Sequence, residues 1–167
     1  MHLQLSGTAN DSIVDGPGIR FTIFVQGCPH HCAGCHNPQT HPFDGGTPAD
    51  TDELLGRIKG NPLLDGVTFS GGEPFCQAAA LAELGAQVRE LGLNIITYTG
   101  YTFEELYARR AEDGIGDLLA VTDYLVDGRY IEELRSYELH FRGSSNQRIL
   151  DCRASLAEGC AVVTEFA

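Results

Sequence analysis

Three cysteines lie within eight residues of one another, at Cys28, Cys32 and Cys35. Their C-x3-C-x2-C spacing is too tight for disulfides among them, and one of the three would have no partner. Thiolates are the ligands that hold iron–sulfur clusters. Three of them leave one iron of a four-iron cluster open, and an open metal position is a place for chemistry. The stretch therefore predicts a [4Fe-4S] cluster with one open iron.

Two other interpretations of these cysteines stay open. A structural zinc site usually takes four protein ligands, and His30, His31 or His36 could supply the fourth. The three cysteines could also be ordinary buried thiols. If histidine ligation is set aside, we expect His30 and His31 to be solvated loop residues.

The composition narrows the class of protein. The chain has 167 residues and a net charge of −12, which fits one domain over residues 1–167 and gives no basic patch for nucleic acid. We expect no signal peptide, because residues 1–7 have no basic region followed by an apolar one, and no apolar run is long enough to span a membrane. We therefore expect a cytoplasmic protein with no membrane or nucleic-acid partner. Buried, reduced thiols are expected at the widely spaced Cys76, Cys152 and Cys160.

Apolar periodicity predicts strands that alternate with helices. Predicted strands cover residues 3–5, 19–26, 66–70, 93–99, 124–127, 148–151 and 161–165. Predicted helices cover residues 51–59, 77–91, 102–110, 118–121 and 154–158, with Thr47 or Thr51 capping the first and a Thr102–Glu105 capping box on the third. Residues 38–48 are predicted as a connection. The alternation predicts an α/β fold, a partial (open) parallel β/α barrel of about five to six βα units.

Loops that carry function gather at the carboxyl ends of parallel strands. The cysteine loop follows the strand predicted at 19–26, the SGGEP stretch at 70–74 follows the next, and Thr99 and Asp127 end the two after that. We expect all of them at one rim. A Gly-Gly pair allows a ligand to approach the backbone closely, and Glu73 could accept a hydrogen bond from an ammonium group there.

These motifs carry a family resemblance. The C-x3-C-x2-C motif together with SGGEP resembles the radical S-adenosylmethionine (radical SAM) superfamily. The DGPGIR stretch at residues 15–20 resembles the glycyl-radical-enzyme activases. Three further stretches narrow the resemblance to the activating proteins of anaerobic (class III) ribonucleotide reductase: GCHN at 34–37, DGRY at 127–130 and FRGSSNQ at 141–147. The resemblance runs over about residues 12–151.

The resemblance implies a site and a reaction. Cys28, Cys32 and Cys35 would be the catalytic centre and the metal ligands of a [4Fe-4S] cluster whose fourth iron binds S-adenosylmethionine. Reductive cleavage would give a 5′-deoxyadenosyl radical that takes a hydrogen atom from a glycine of the partner. Gly34 stands where an aromatic adenine contact is common, so that contact is expected at His36. The implied cofactor-binding residues are Gly71, Gly72, Glu73, His36, Asn37, Ser70, Thr97, Thr99, Asp127, Ser144 and Asn146.

The implied partners are a glycyl radical enzyme, namely anaerobic ribonucleotide reductase, and a flavodoxin- or ferredoxin-type electron donor. An open barrel would admit a loop of the partner, and an exposed apolar patch beside the opening would mark the partner surface. Other interpretations stay open: an activase of another glycyl radical enzyme such as pyruvate formate-lyase, a small deazaguanine-type synthase, and a non-catalytic electron carrier or zinc module. For Arg20, an ion pair with a carboxylate and a ligand contact are both possible.

Overall fold

The computed structural model describes residues 1–166, which form a seven-stranded sheet with helices around it. The strands are β1 (His2–Ser12), β2 (Arg20–Val25), β3 (Thr47–Asp50), β4 (Gly66–Gly71), β5 (Asn94–Tyr98), β6 (Tyr124–Asp127) and β7 (Arg148–Asp151). The helices are α1 (Thr51–Lys59), α2 (Ala78–Glu90), α3 (Phe103–Ala108), α4 (Ile115–Val121) and α5 (Cys152–Glu158). Short 3-10 turns lie at Pro38–Thr40, Pro74–Gln77 and Glu132–Leu134.

The sheet has a parallel centre and antiparallel edges. Its order is β3-β1-β2-β4-β5-β6-β7. Strands β2, β4, β5 and β6 run parallel, whereas β1 and β3 at one edge and β7 at the other pair antiparallel with their neighbours. The carboxyl ends of the four parallel strands therefore lie side by side, and the loops that follow them can share a site.

The predicted α/β class is confirmed, but the predicted number of parallel units is too high. Strand β1 turns back into β2 as a hairpin instead of starting a βαβ unit. At the other edge, Asp127 pairs with Arg148 because the connection over residues 128–147 stays at the carboxyl end of β6 instead of crossing back. Strand β7 consequently runs antiparallel to β6.

Three local predictions are wrong. Strand β3 overlaps the end of the predicted connection at residues 47 and 48; it is an edge strand, where a proline such as Pro48 is tolerated. Helix α1 is capped by Asp50, whose carboxylate accepts the N–H of Asp52 at 2.8 Å, and not by a threonine. In place of the strand predicted at 161–165 there is one isolated bridge, between Val163 and Leu150. The capping box of α3 is confirmed.

Apolar side chains pack on both faces of the sheet. On one face the helices pack against the strands, and α2 contributes Leu81, Leu84 and Val88, all fully buried. Each such side chain contributes about 2 kcal/mol of transfer free energy. The other face carries a smaller cluster centred on Ile96 and Val126. No helix within residues 1–166 has the length and hydrophobicity that crossing a membrane requires.

Arg20 is fully buried at the start of β2 and takes neither of the two roles left open for it. Its Nε donates to Thr68 Oγ1 at 2.7 Å, and its Nη2 donates to Asn94 Oδ1 at 2.7 Å and to the Val67 carbonyl at 2.9 Å. These acceptors are uncharged, and burial lowers the pKa of Arg20 to about 10. Its Nη1 donates to the Pro17 carbonyl at 3.2 Å, so the side chain ties the loop over residues 13–19 to the strands.

We expect Arg20→Met to destabilise the fold by about 3 kcal/mol, because methionine leaves buried acceptors without donors. Urea unfolding followed by circular dichroism, in anaerobic reducing buffer, measures this change. Arg153→Ala is the matched control: that side chain is 62% exposed, and its removal should change the free energy of unfolding by less than about 0.5 kcal/mol. Equal urea midpoints for Arg20→Met and the native chain would contradict a structural role.

Candidate functional site

An open cavity of about 400 Å³ lies at the carboxyl ends of the parallel strands. This volume is within the range of small-molecule sites. Cys28, Cys32 and Cys35, whose spacing predicts a shared site, all line it. Six other candidates from the sequence line the same cavity: His36, Asn37, Ser70, Gly71, Gly72 and Thr99.

Part of the loop over residues 13–19 lies along the wall of this cavity. It runs from the end of β1 to the amino end of β2 and reaches β4, where the Asp15 carbonyl accepts a hydrogen bond from Thr68 Oγ1 at 2.9 Å. The Asp15 carboxylate also accepts a hydrogen bond from Ser12 Oγ. Val14 and Asp15 line the cavity. Arg20, which donates to the Pro17 carbonyl, therefore anchors a loop that forms part of the cavity wall.

The cysteine loop is shaped by its own backbone. Cys28 is 8% exposed, while Cys32 and Cys35 are partly exposed. The Cys28 N–H donates to the His41 carbonyl at 3.1 Å, and the Cys35 N–H donates to the Cys32 carbonyl at 3.2 Å. The Asn37 N–H donates to Cys35 Sγ at 3.4 Å, a type of contact that tunes iron–sulfur clusters.

The donor set fits a cluster better than a single metal ion. Within residues 1–166, no group of three or more His, Cys, Asp or Glu side chains is placed to hold one ion. In a cluster each thiolate binds a separate iron, so the three thiols do not have to converge on one point. Burial raises the pKa of the Cys28 thiol, and nearby Glu73 adds to the rise, while the His30 backbone N–H opposes it. Coordination to a metal overrides such a rise, because a coordinated thiol loses its proton.

Glu73 does not line the cavity; its carboxylate is fully buried among protein donors. Its Oε1 accepts from His30 Nε2 at 2.6 Å and from the Gly100 N–H at 2.8 Å. Its Oε2 accepts from the Phe75 N–H at 3.1 Å, and the Thr99 hydroxyl lies 2.9 Å from both oxygens. The sequence predicts that this carboxylate faces a ligand at the rim, whereas the structure buries it behind the cavity wall.

The prediction that His30 is a solvated loop residue is wrong. Its side chain is only 5% exposed, and its ring packs edge-on against Tyr101 with 4.5 Å between the ring centres. Nothing in the sequence signals this position, because Glu73 and Tyr101 are far from His30 along the chain. The neighbouring His31 is exposed, as expected.

The Gly-Gly turn is pressed against the cysteine loop. Gly71 has a φ of +94°, in the left-handed region that favours glycine. The Gly72 N–H donates to the Val25 carbonyl at 2.8 Å, and the Glu73 N–H donates to the Gly27 carbonyl at 2.8 Å. A side chain at position 72 would collide with the Gly27 carbonyl. The absence of a Cβ is thus what lets the two motifs meet.

Four other candidates are engaged inside the protein and do not line the cavity. The Thr97 hydroxyl lies 2.9 Å from that of Thr122. Asp127 is buried, forms an ion pair with Arg148 and accepts the Phe103 N–H at 2.7 Å. The Ser144 hydroxyl donates to Asn146 Oδ1 at 2.6 Å, and Asn146 Nδ2 donates to the Arg129 carbonyl at 2.8 Å.

Other residues of the FRGSSNQ stretch line the cavity instead: Phe141, Arg142, Gly143 and Gln147. The sequence marks this stretch as a loop, but a loop has no periodicity that would show which side chains face inward. Tyr98 also lines the cavity, and its hydroxyl donates to the Phe141 carbonyl at 2.7 Å. Strand alternation from the buried Thr97 could have found it, because successive side chains point to opposite faces.

Arg142 brings an unusual positive charge to the cavity wall. Its Nη1 donates to the Gln147 carbonyl at 3.0 Å, but its buried Nε has no hydrogen-bond partner within residues 1–166. It also takes part in none of the ion pairs found in that part of the chain. A buried donor without a partner is costly, so this cavity wall suits a polar or anionic group of a ligand.

The three remaining cysteines lie outside the cavity. Cys152 is buried as predicted, with its Sγ 3.3 Å from the Leu119 carbonyl, and burial raises the pKa of its thiol to about 12. Cys76 and Cys160 are exposed, so the prediction of buried thiols is wrong for them. Cys76 lies within a short 3-10 turn and Cys160 follows α5, positions whose exposure short-range patterns do not reveal.

Comparisons with known proteins agree with this donor set. A family described as "4Fe-4S single cluster domain" matches residues 14–150. The anaerobic ribonucleoside-triphosphate reductase-activating protein of Escherichia coli (strain K12) is 36% identical over 143 residues, which cover 81% of this chain and 90% of that protein. The pyruvate formate-lyase-activating enzyme of Clostridium pasteurianum is 40% identical over 97 residues, 54% of this chain and 41% of that enzyme. The crystal structure of QueE from Escherichia coli is a looser match, with a TM-score of 0.48 and 21% identity over 61% of this chain and 54% of QueE.

We expect Gly72→Ala to block cluster assembly, because the added Cβ pushes the Gly27 carbonyl, and with it the cysteine loop, away from the turn. Iron content after anaerobic reconstitution should fall at least about threefold, and the free energy of unfolding by about 2 kcal/mol. Gly56→Ala is the matched control. Its Cβ would meet nothing within 4 Å, so it should keep full iron content and stabilise α1 by about 0.5–1 kcal/mol. Full iron content in Gly72→Ala would contradict the close contact.

Proposed function

We propose that this chain installs a glycyl radical on an anaerobic ribonucleotide reductase. The chain belongs to the family of anaerobic ribonucleoside-triphosphate reductase-activating proteins. It acts as a radical SAM enzyme with a [4Fe-4S] cluster and S-adenosylmethionine as cofactors. The observation that carries the proposal is that three thiols and the Gly71–Gly72 turn line one cavity of ligand size. Within this proposal the sheet is an open, partial barrel and residues 1–167 form one domain.

The residues take distinct roles in this proposal. Cys28, Cys32 and Cys35 hold the cluster. The backbone of Gly71 and Gly72 receives the methionine end of S-adenosylmethionine, since neither residue has a side chain to keep a ligand away. When bound, the cofactors would supply the one-electron reductive cleavage of a carbon–sulfur bond of S-adenosylmethionine, which yields methionine and a 5′-deoxyadenosyl radical able to take a hydrogen atom from the partner's glycine.

Two groups of side chains complete the site. His36, Asn37, Ser70 and Thr99 line the cavity and are the candidates for contacts to the nucleoside. Four residues buried or bonded behind the wall support it without facing the ligand: Thr97, Asp127, Ser144 and Asn146. Glu73 belongs with this supporting group, because its oxygens already have donors from the protein.

The open side of the cavity is where the partner would enter. Ile13 and Val14 are 70% and 73% exposed, and Val14 also lines the cavity. Exposed apolar side chains beside an opening are typical of an interaction surface. We assign this position to the loop of the glycyl radical enzyme and propose a flavodoxin- or ferredoxin-type protein as electron donor.

An activase of pyruvate formate-lyase is the second candidate function, because the Clostridium pasteurianum relative carries that activity in its name. The non-catalytic alternatives are less well supported. An electron carrier would need a fourth thiol at the cluster, and within residues 1–166 the other three cysteines lie away from the cavity.

The test begins with the cofactors. Protein reconstituted without oxygen and reduced should give the electron paramagnetic resonance signal of a [4Fe-4S]⁺ cluster, and S-adenosylmethionine should change that signal. Cys28→Ala, Cys32→Ala and Cys35→Ala should lose the signal, since two thiolates do not hold the cluster. Cys160→Ala, which removes an exposed thiol outside the cavity, is the matched control and should behave as the native protein.

The second step identifies the partner. The reduced, S-adenosylmethionine-loaded protein is incubated with purified anaerobic ribonucleotide reductase or with pyruvate formate-lyase, and the glycyl radical is measured by electron paramagnetic resonance. We expect the radical on the reductase. Its appearance only on pyruvate formate-lyase would favour the second candidate, and a cluster indifferent to S-adenosylmethionine would refute both.

A further inference from the structure

The carboxylate of Glu73 joins three loops. His30 belongs to the cysteine loop after β2, Phe75 to the turn after β4, and Thr99 and Gly100 to the loop after β5. Each loop supplies at least one donor to this carboxylate. The side chain is 0% exposed, so these donors take the place of water. A buried carboxylate is costly unless donors surround it, and removing one donor costs more than an average hydrogen bond.

His30 is the cysteine loop's side-chain contact to this carboxylate. Its ring is confined between Glu73 and Tyr101, at 4.5 Å between ring centres for the latter. Gly100 leaves space for the ring, because a Cβ at position 100 would collide with it. The ring of His30 is therefore enclosed by protein, whereas the next residue of the same loop, His31, is exposed.

The hydrogen bond from His30 also occupies the oxygen of Glu73 that could otherwise bind a ligand directly. Its Oε1 already accepts from His30, Gly100 and Thr99, so an ammonium group could bind there only by displacing one of them. The cavity-facing part of the motif is the backbone of Gly71 and Gly72. Glu73 consequently affects ligand binding indirectly, because its carboxylate fixes the positions of the loops around the cavity.

We propose that His30 is a positioning residue: its bond to Glu73 holds the cysteine loop against the Gly-Gly turn, so that the cluster and S-adenosylmethionine meet in one geometry. The proposal rests on the function proposed above, and deepens it by assigning a residue that touches neither cofactor. Without the bond, three cysteines can still take up iron, and the Glu73 N–H still holds the turn to the Gly27 carbonyl, but the cysteine loop beyond residue 27 loses its side-chain contact to the turn.

The test uses two amides of different reach. In His30→Gln the side-chain N–H₂ lies where Nε2 of histidine lies and can still donate to Glu73. In His30→Asn the amide ends nearer the backbone, at the place of Nδ1, and cannot reach. Both variants lose the ring contact with Tyr101, so they differ only by one methylene group and by the bond to Glu73. His31→Ala serves as the control for a change in the same loop.

Two measurements follow on these variants. The dissociation constant of S-adenosylmethionine is read from the change in the cluster's electron paramagnetic resonance signal, at matched iron content. We expect His30→Gln and His31→Ala within about threefold of the native protein, and His30→Asn at least about tenfold weaker, as for a lost hydrogen bond to a charged group. Hydrogen exchange of the cluster-free chain should show faster exchange of residues 27–37 in His30→Asn than in His30→Gln.

Equal affinities and equal exchange for the two amide variants would overturn the proposal. Tighter binding by His30→Ala than by the native protein would also overturn it, since that result means that the ligand's ammonium competes with His30 for Glu73. If the native cluster ignores S-adenosylmethionine, the proposed function fails, and the exchange measurement on the cluster-free chain still decides whether His30 fixes the loop.

Discussion

The buried carboxylate of Glu73 is the interaction on which the rest of the site depends. A charge out of contact with water must be surrounded by donors, and here they come from the loops after three neighbouring strands. Only parallel strands place such loops at the same end of a sheet. The order β2-β4-β5 is therefore a precondition of the site, and the carboxylate in turn fixes how those loops lie.

Charge is arranged differently in the cavity and around it. In this acidic chain most arginines near the site are used in ion pairs, such as Arg148 with Asp127 and Arg129 with Glu105. Those ion pairs join the ends of β6 and β7 to α3 and neutralise carboxylates that lie outside the cavity. Arg142 is left facing the cavity with an unpartnered Nε within residues 1–166. The wall thus offers a positive group to a ligand while the molecule as a whole stays negative.

The sequence was sufficient for several features that follow a short-range rule, although not for the cap of α1. Strand β6 and strand β7 have their predicted bounds, and the capping box of α3 is present, because alternation and capping are local properties. The cysteine loop and the Gly-Gly turn could be found because their chemistry depends on spacing. The direction of β7 and the burial of His30 could not, since both depend on contacts between distant parts of the chain.

A cavity of about 400 Å³ has room for a small-molecule ligand and little beside it. A polypeptide segment that reaches a ligand held there must therefore be slender, with a small side chain at the residue that goes deepest. Such a segment has to give up contacts within its own protein before it enters, and ordering it in the cavity costs conformational entropy. The size of this cavity therefore favours a partner whose reactive segment is already loosely held.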